Sequence, residues 1–162
     1  MKRKGEGRKG HNLVYDGEKK YTDTDDQICN DPRLPSSVID CYWIICYKGN
    51  FMQEKKYGEH GKWLIFCHYN FIDAVWDKIR WAAKYINIIN DAKCSTRKIN
   101  SNSTNTDQQV ICVYCWENQA MEIREKLRII GITHKIGWKS DNASREGKYA
   151  VNGDTNICKM FC

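Results

Sequence analysis

Residues 62–85, KWLIFCHYNFIDAVWDKIRWAAKY, decide the fold class. Their first eight residues are aromatic and β-branched, and they predict a strand over 62–69. Asn70 then fits an N-cap, and the period changes. Phe71, Ile72, Val75, Trp76, Ile79, Ala82 and Ala83 recur at helical spacing as one apolar stripe, which predicts a helix over 71–85. A strand that feeds an amphipathic helix needs further strands beside it, and the flanking sequence supplies them.

Upstream, residues 38–47 (VIDCYWIICY) predict a strand, followed by a polar loop over 48–61 that carries Phe51 and Tyr57. Downstream, residues 91–98 (DAKCSTRK) alternate, with Ala92, Cys94 and Thr96 on one face and Lys93, Ser95 and Arg97 on the other. A polar loop over 99–109, rich in Asn, Ser and Thr, leads to an apolar strand over 110–116. A second helix is expected from an Asn118 cap to Ile130, with Ala120, Ile123, Leu127 and Ile130 as its stripe. Glu122 and Lys126 form an i,i+4 pair on it, and Gly131 closes it. A fifth strand over 132–138, a loop over 141–147 and a short strand or turn over 148–151 complete the order β-β-α-β-β-α-β. Two helices cannot cover both faces of five strands. The expected class is therefore α+β: a curved, mainly antiparallel sheet with helices on one face. The other face is left as a concave surface open to ligand.

The chain has 162 residues, and its formal net charge of +6 is unevenly placed. Residues 1–10 hold five cations against one anion, so the rest is nearly neutral. Residues 1–37 contain both prolines, lack periodicity and predict a basic, polar, disordered tail; residues 38–162 form a single domain. Such a tail suits RNA, a nuclear import receptor or anionic lipid, or is simply a solvated terminus. No apolar run approaches the roughly 20 residues of a membrane span, so no membrane partner is expected. Nine cysteines, an odd number with no preceding signal segment, indicate a reducing compartment, the cytoplasm or the nucleus.

Cys112 and Cys115 have C-x-x-C spacing, with Cys158 and Cys162 further on. Within a strand, however, an odd offset sends the two sulfurs to opposite faces, so neither a metal site nor a cofactor is expected. Cys41, Cys46, Cys67, Cys94 and Cys112 read as small core residues. There is no nucleophile elbow, no metalloprotease motif and no glycine-rich phosphate loop. His60, His68 and His134 are scattered. What recurs is positive charge near strand ends: Lys93, Arg97 and Lys98, then Lys139, then Arg145 and Lys148. Ser95 and Tyr149 add hydroxyls. If strand 91–98 lies near strand 132–138, these groups converge into a phosphate-binding patch. Trp43, Trp63 and Trp76 fit the core, whereas Trp81, Trp116 and Trp138, with Phe51 and Tyr57, are the rings expected at the surface. Trp138 and Phe51 are the candidates for stacking on a base.

Several segments together resemble a known family. They are Gly61-Lys-Trp-Leu-Ile-Phe, Val75-Trp76, Ala92-Lys-Cys-Ser-Thr, Val110-Ile-Cys-Val-Tyr114, Leu127-Arg-Ile-Ile-Gly131, Trp138-Lys-Ser-Asp141 and Gly147-Lys-Tyr149. In this order they resemble the uncharacterised basophilic-leukaemia-expressed proteins, over about residues 61–150. The resemblance implies a fold similar to that of the cap-binding translation initiation factor 4E, and Gly61–Ile65, Trp76, Arg97 and Ile136–Trp138 resemble stretches of that factor. It further implies a nucleotide-type ligand, with Phe51 in the place of one clamping ring and Glu54 in that of the carboxylate. Some members carry a phosphothreonine-lyase label, which implies a lysine base (Lys93 or Lys139), phosphate held by Arg97 or Lys148, and His134 as acid. The favoured expectation is a module that binds a nucleotide or RNA end through Lys93, Ser95, Arg97, Lys139, Lys148 and Tyr149. The alternatives are the lyase and a domain that binds an acidic protein.

Overall fold

The computed structural model describes residues 32–47, 58–85, 89 and 91–162. Phe51, Glu54 and Tyr57, like the tail over 1–31, lie outside the described residues. Six strands form one sheet: β1 (Trp43–Tyr47), β2 (His60–His68), β3 (Asp91–Ser95), β4 (Gln108–Trp116), β5 (Gly137–Ser140) and β6 (Met160–Phe161). Their order across the sheet is β1-β3-β4-β2-β5-β6, and each neighbouring pair is antiparallel. Three helices accompany them: α1 (Tyr69–Tyr85), α2 (Ala120–Ile129) and α3 (Asp141–Arg145). The α+β class expected from the sequence is the class observed. Among the described residues, no helix is long and apolar enough to cross a membrane.

The registers sort the side chains into two faces, because alternate residues of a strand point opposite ways. On one face Ile44, Cys46, Ala92, Cys94, Ile111, Val113, Trp63, Ile65 and Trp138 are buried against Ile72, Trp76, Ile79 and Ala83 of α1 and Leu127 of α2. Trp63 and Trp138 sit side by side across β2 and β5, and the Trp63 indole N–H donates to the Ala120 carbonyl at 2.8 Å, which fixes α2 to the sheet. Gly61 is needed beside them. A Cβ there would lie 2.4 Å from the Trp138 ring and 2.6 Å from the Lys139 carbonyl.

Several boundaries differ from the expected ones. β2 runs without a break into α1, so the helix starts at Tyr69 and Asn70 is inside it. The cap is instead His68, whose Nδ1 accepts the Asn70 N–H at 3.1 Å. Asn118 does not cap α2, since a single 3-10 turn over Glu117–Gln119 leads into it. Gly131 closes α2 as expected, at φ 94°. Its N–H bonds the Arg128 carbonyl, and the Ile132 N–H bonds the Leu127 carbonyl. The expected strand over 132–138 begins only at Gly137, because Ile132 and His134 give their carbonyls to Arg124. That guanidinium is fully buried, a place the sequence pattern did not assign to a cation. Residues 141–147 are not a loop. Asp141–Arg145 form α3, capped by the Ser140 hydroxyl accepting from the Ala143 N–H. Packed chain also begins ahead of Val38: Ser36 donates its N–H and hydroxyl to Asp73 of α1, and the Pro35 carbonyl accepts from Gln109.

Candidate functional site

The second face of the sheet is the one α1 and α2 leave open. Successive rows cross it, each at right angles to the strands. The first holds Trp116, His60 and Asp141; the second Asp91, Tyr114, Lys62 and Lys139. The third holds Ile45, Lys93, Cys112, Leu64 and Gly137, and the fourth Trp43, Ser95, Val110 and Phe66. α3 packs on β5 and β2 at one end of this face, and Asp91 and Cys112 nearer its middle are also buried.

Three lysines therefore share this face on three different strands. Lys62 Nζ donates to Asp141 Oδ1 at 2.8 Å and to the Ser144 hydroxyl at 3.1 Å. The other Asp141 oxygen is 2.6 Å from His60 Nδ1. Burial alone would raise the Asp141 carboxyl, but the hydrogen bonds from His60 and Lys62 and their charges bring it down to about 2. Lys139 is only 3% exposed, with its ammonium 3.7 Å above the Tyr149 ring and donating to the Lys148 carbonyl. Burial and then the Lys62 charge push its pKa down.

Lys93 differs from both. Its Nζ is 4.0 Å from the centre of the Trp43 ring and 5.7 Å from that of Tyr114. Among the described residues, no acceptor or carboxylate is bonded to it. Burial lowers its pKa, helped by repulsion from Lys62, while Cys112, Asp91 and Asp141 act the other way. Asp91, two residues back on the same face, is 7% exposed, and burial pushes its carboxyl up to about 7 despite the Lys93 charge. The buried Cys112 thiol, opposite Lys93 on β4, is pushed up by burial. Next to this polar centre the face turns apolar, through Leu64 and Val110 to Phe66, which is 52% exposed.

The residues expected to bind phosphate are thus divided. Lys93 is half-buried in the middle of this face, and Lys139 and Tyr149 sit at the end covered by α3, pairing with each other. β3 and β5 are not adjacent: β4 and β2 lie between them, and Lys62, which the sequence reading did not single out, bridges the gap. Ser95 faces the open side, but its hydroxyl accepts the Val110 N–H at 2.8 Å. Arg97 donates to the Thr106 carbonyl at 3.0 Å and covers the Tyr69 ring, so it ties down the 99–107 loop. Lys148 turns its ammonium to Glu146 at 2.7 Å and offers the site only its carbonyl. Trp138 is a correction: at 0% exposure it belongs to the core and presents no ring to a ligand, whereas Trp43, expected in the core, lines the open face. The His134 side chain is exposed on the α2–β5 connection, away from these rows. Cys112 and Cys115 point to opposite faces of β4, as their spacing requires. Lys62 and Asp91 did carry a signal, since each shares the strand parity of the face-forming residues around it.

The family model described as basophilic leukemia-expressed protein Bles03 matches residues 54–129. Over this segment the chain is similar to the Bles03 family. No curated protein matches the chain. The Bles03 segment spans β2, α1, β3, β4 and α2, and so supplies His60, Lys62, Asp91, Lys93 and Tyr114. Asp141, Lys139 and Tyr149, which close one end of the open face, lie beyond the Bles03 match.

Proposed function

We propose that the open face binds a phosphate-bearing ligand, a nucleotide or an RNA end, with Lys93 as its principal contact and Lys62 beside it. The observation that supports this is an ammonium group held between two aromatic rings, without an acidic partner among the described residues, on a face that gathers two more lysines. An arriving phosphate gives Lys93 the charge-assisted bonds it lacks. The aromatic and apolar rows beside it, Trp43 and Phe66, give a base or sugar a floor. Arg97, Lys139 and Lys148 are left with positioning roles, since each is engaged elsewhere. The choice of a nucleotide rests on the resemblance to the cap-binding factor.

The test is tryptophan fluorescence of the full chain during titration with inorganic phosphate, GTP and a methylated cap analogue, because Trp43 lies under the proposed contact. Lys93→Gln is expected to weaken binding at least about tenfold, the scale of one lost charge-assisted bond. Equal affinity in the wild type and Lys93→Gln overturns the proposal.

A second reading, elimination of phosphate from phosphothreonine, is favoured by the lowered Lys93 pKa, which suits a base, and by the His60–Asp141 contact two rows away, which suits an acid. It requires mass spectrometry to find loss of phosphoric acid from a phosphothreonine peptide; an unchanged peptide disposes of it.

A further inference from the structure

We propose that Lys93 is an imine-forming amine, a nucleophile that condenses with a small aldehyde or ketone on the open face of the sheet. The argument begins with geometry. Lys93 is in the middle of the sheet, on β3, with a firm backbone on both sides. Its Nζ is 4.0 Å from the centre of the Trp43 ring and 5.7 Å from that of Tyr114, and the residue is half-buried. Aromatic faces hold the nitrogen in place and favour its ammonium form less strongly than the carboxylate that occupies Lys62, so its lone pair is easier to free. An amine used as a nucleophile has to be left in that condition.

The electrostatic surroundings agree. The charged and titratable groups that act on Lys93 are Cys112, Lys62, Asp91 and Asp141, and burial, helped by Lys62, outweighs Cys112 and the two carboxyls. Each unit of lowering gives about tenfold more free amine near neutral pH. Asp91, on the same face two residues away, is pushed up to about 7 and so still carries its proton in about half of the molecules at neutrality. One lysine that gives up its proton early and one carboxyl that keeps it late form the pair an imine needs. The lone pair of the neutral amine attacks the carbonyl carbon, and the carbonyl oxygen takes a proton to give a carbinolamine. Asp91 donates its proton to the departing hydroxyl, water leaves, and a C=N bond joins the ligand to Nζ. The protonated imine passes its proton back to the Asp91 carboxylate. Atoms and charge balance with water as the only by-product.

This step does not rest on the phosphate reading, and the test separates the two. The full chain is incubated near pH 7 with pyridoxal phosphate or with benzaldehyde, reduced with cyanoborohydride, and mapped by peptide mass spectrometry. Lys93 is expected to be labelled at least about tenfold faster than the exposed Lys84 and Lys135 by both aldehydes. Asp91→Asn is expected to slow the Lys93 adduct several-fold, roughly the scale of one general acid at a partly open site, with Lys84 unchanged. If benzaldehyde and pyridoxal phosphate label Lys93 equally and inorganic phosphate does not compete, the amine stands and the phosphate site falls. If phosphate binding depends on Lys93 but Lys93 is labelled no faster than Lys84, the imine proposal is overturned and the phosphate site stands. Because labelling is mapped in the wild type, the result does not depend on a variant that folds.

Discussion

The two faces of the sheet are made from the same strands, and adjacent residues serve opposite ends. Trp63 is fully buried under α2, and its neighbour Lys62 is hydrogen-bonded to α3 across the sheet. Ala92 and Cys94 are core, while Asp91 and Lys93 between and beside them form the polar centre. The covered face gains from removing apolar area from water, about 25 cal/mol per Å2. The open face keeps a carboxyl and ammonium groups poorly solvated, which costs stability.

The comparison breaks most sharply at Trp63. Trp63→Ala removes a fully buried ring and leaves the Ala120 carbonyl without its donor, so it is expected to cost about 3–5 kcal/mol, read by urea denaturation. Lys93→Gln, on the opposite face two strands away, is expected to change stability by less than about 1 kcal/mol while removing phosphate binding. Equal losses for the two substitutions would make Lys93 a structural residue and dissolve the distinction between the faces.

Asp91 sharpens the same contrast through pH. Its carboxyl is near 3.8 in an unfolded chain and about 7 in the fold, so the folded state holds the proton more tightly between those values. The stability tied to this group is fully present below about pH 4 and is lost as pH rises to about 7, after which it is flat. Asp91→Asn removes that loss. The variant should match the wild type at pH 4 and exceed it at pH 8, by at most on the order of 4 kcal/mol for a shift of this size. Thermal denaturation at the two pH values decides it, and an Asn variant less stable at pH 8 contradicts the burial argument.

What could be read from the sequence follows from how local each feature is. The 3.6-residue stripe of α1 and the alternation read over 91–98 are local; the stripe stands except at Phe71, which is exposed, and the strand stands as far as Ser95. Gly131 was legible because only a left-handed residue ends α2 in that way. β6 is two residues long, too short for any period. The end of β5 depends on Arg124, which draws the 132–134 backbone out of the sheet through contacts eight and ten residues away. The site was half visible. Lys93 and Lys139 were found as basic residues near strand ends, but Lys62 and Asp91 become partners only once β4 lies beside β2 and β3. Trp43 and Trp138 exchanged places for the same reason. Both lie in apolar-looking strands, and only the register shows which faces α1 and which faces Lys93.

The smallest expected effect lies where the two faces meet, at the junction of β2 and α1. His68 is the last residue of the strand and the cap of the helix, its Nδ1 accepting from Asn70 and its ring 4.3 Å from that of Tyr69. The first turn of α1 has no acidic residue to do this work. His68→Ala should therefore cost about 1 kcal/mol, the ordinary worth of an N-cap, and His68→Asn should restore most of it because an amide oxygen can accept the same N–H. Amide exchange in the first turn of α1 should accordingly show less protection in His68→Ala than in the wild type, and near wild-type protection in His68→Asn. Equal protection in all three proteins would mean that the Tyr69 N–H bond to the Asp107 carbonyl, at 3.0 Å, holds the helix start without the ring.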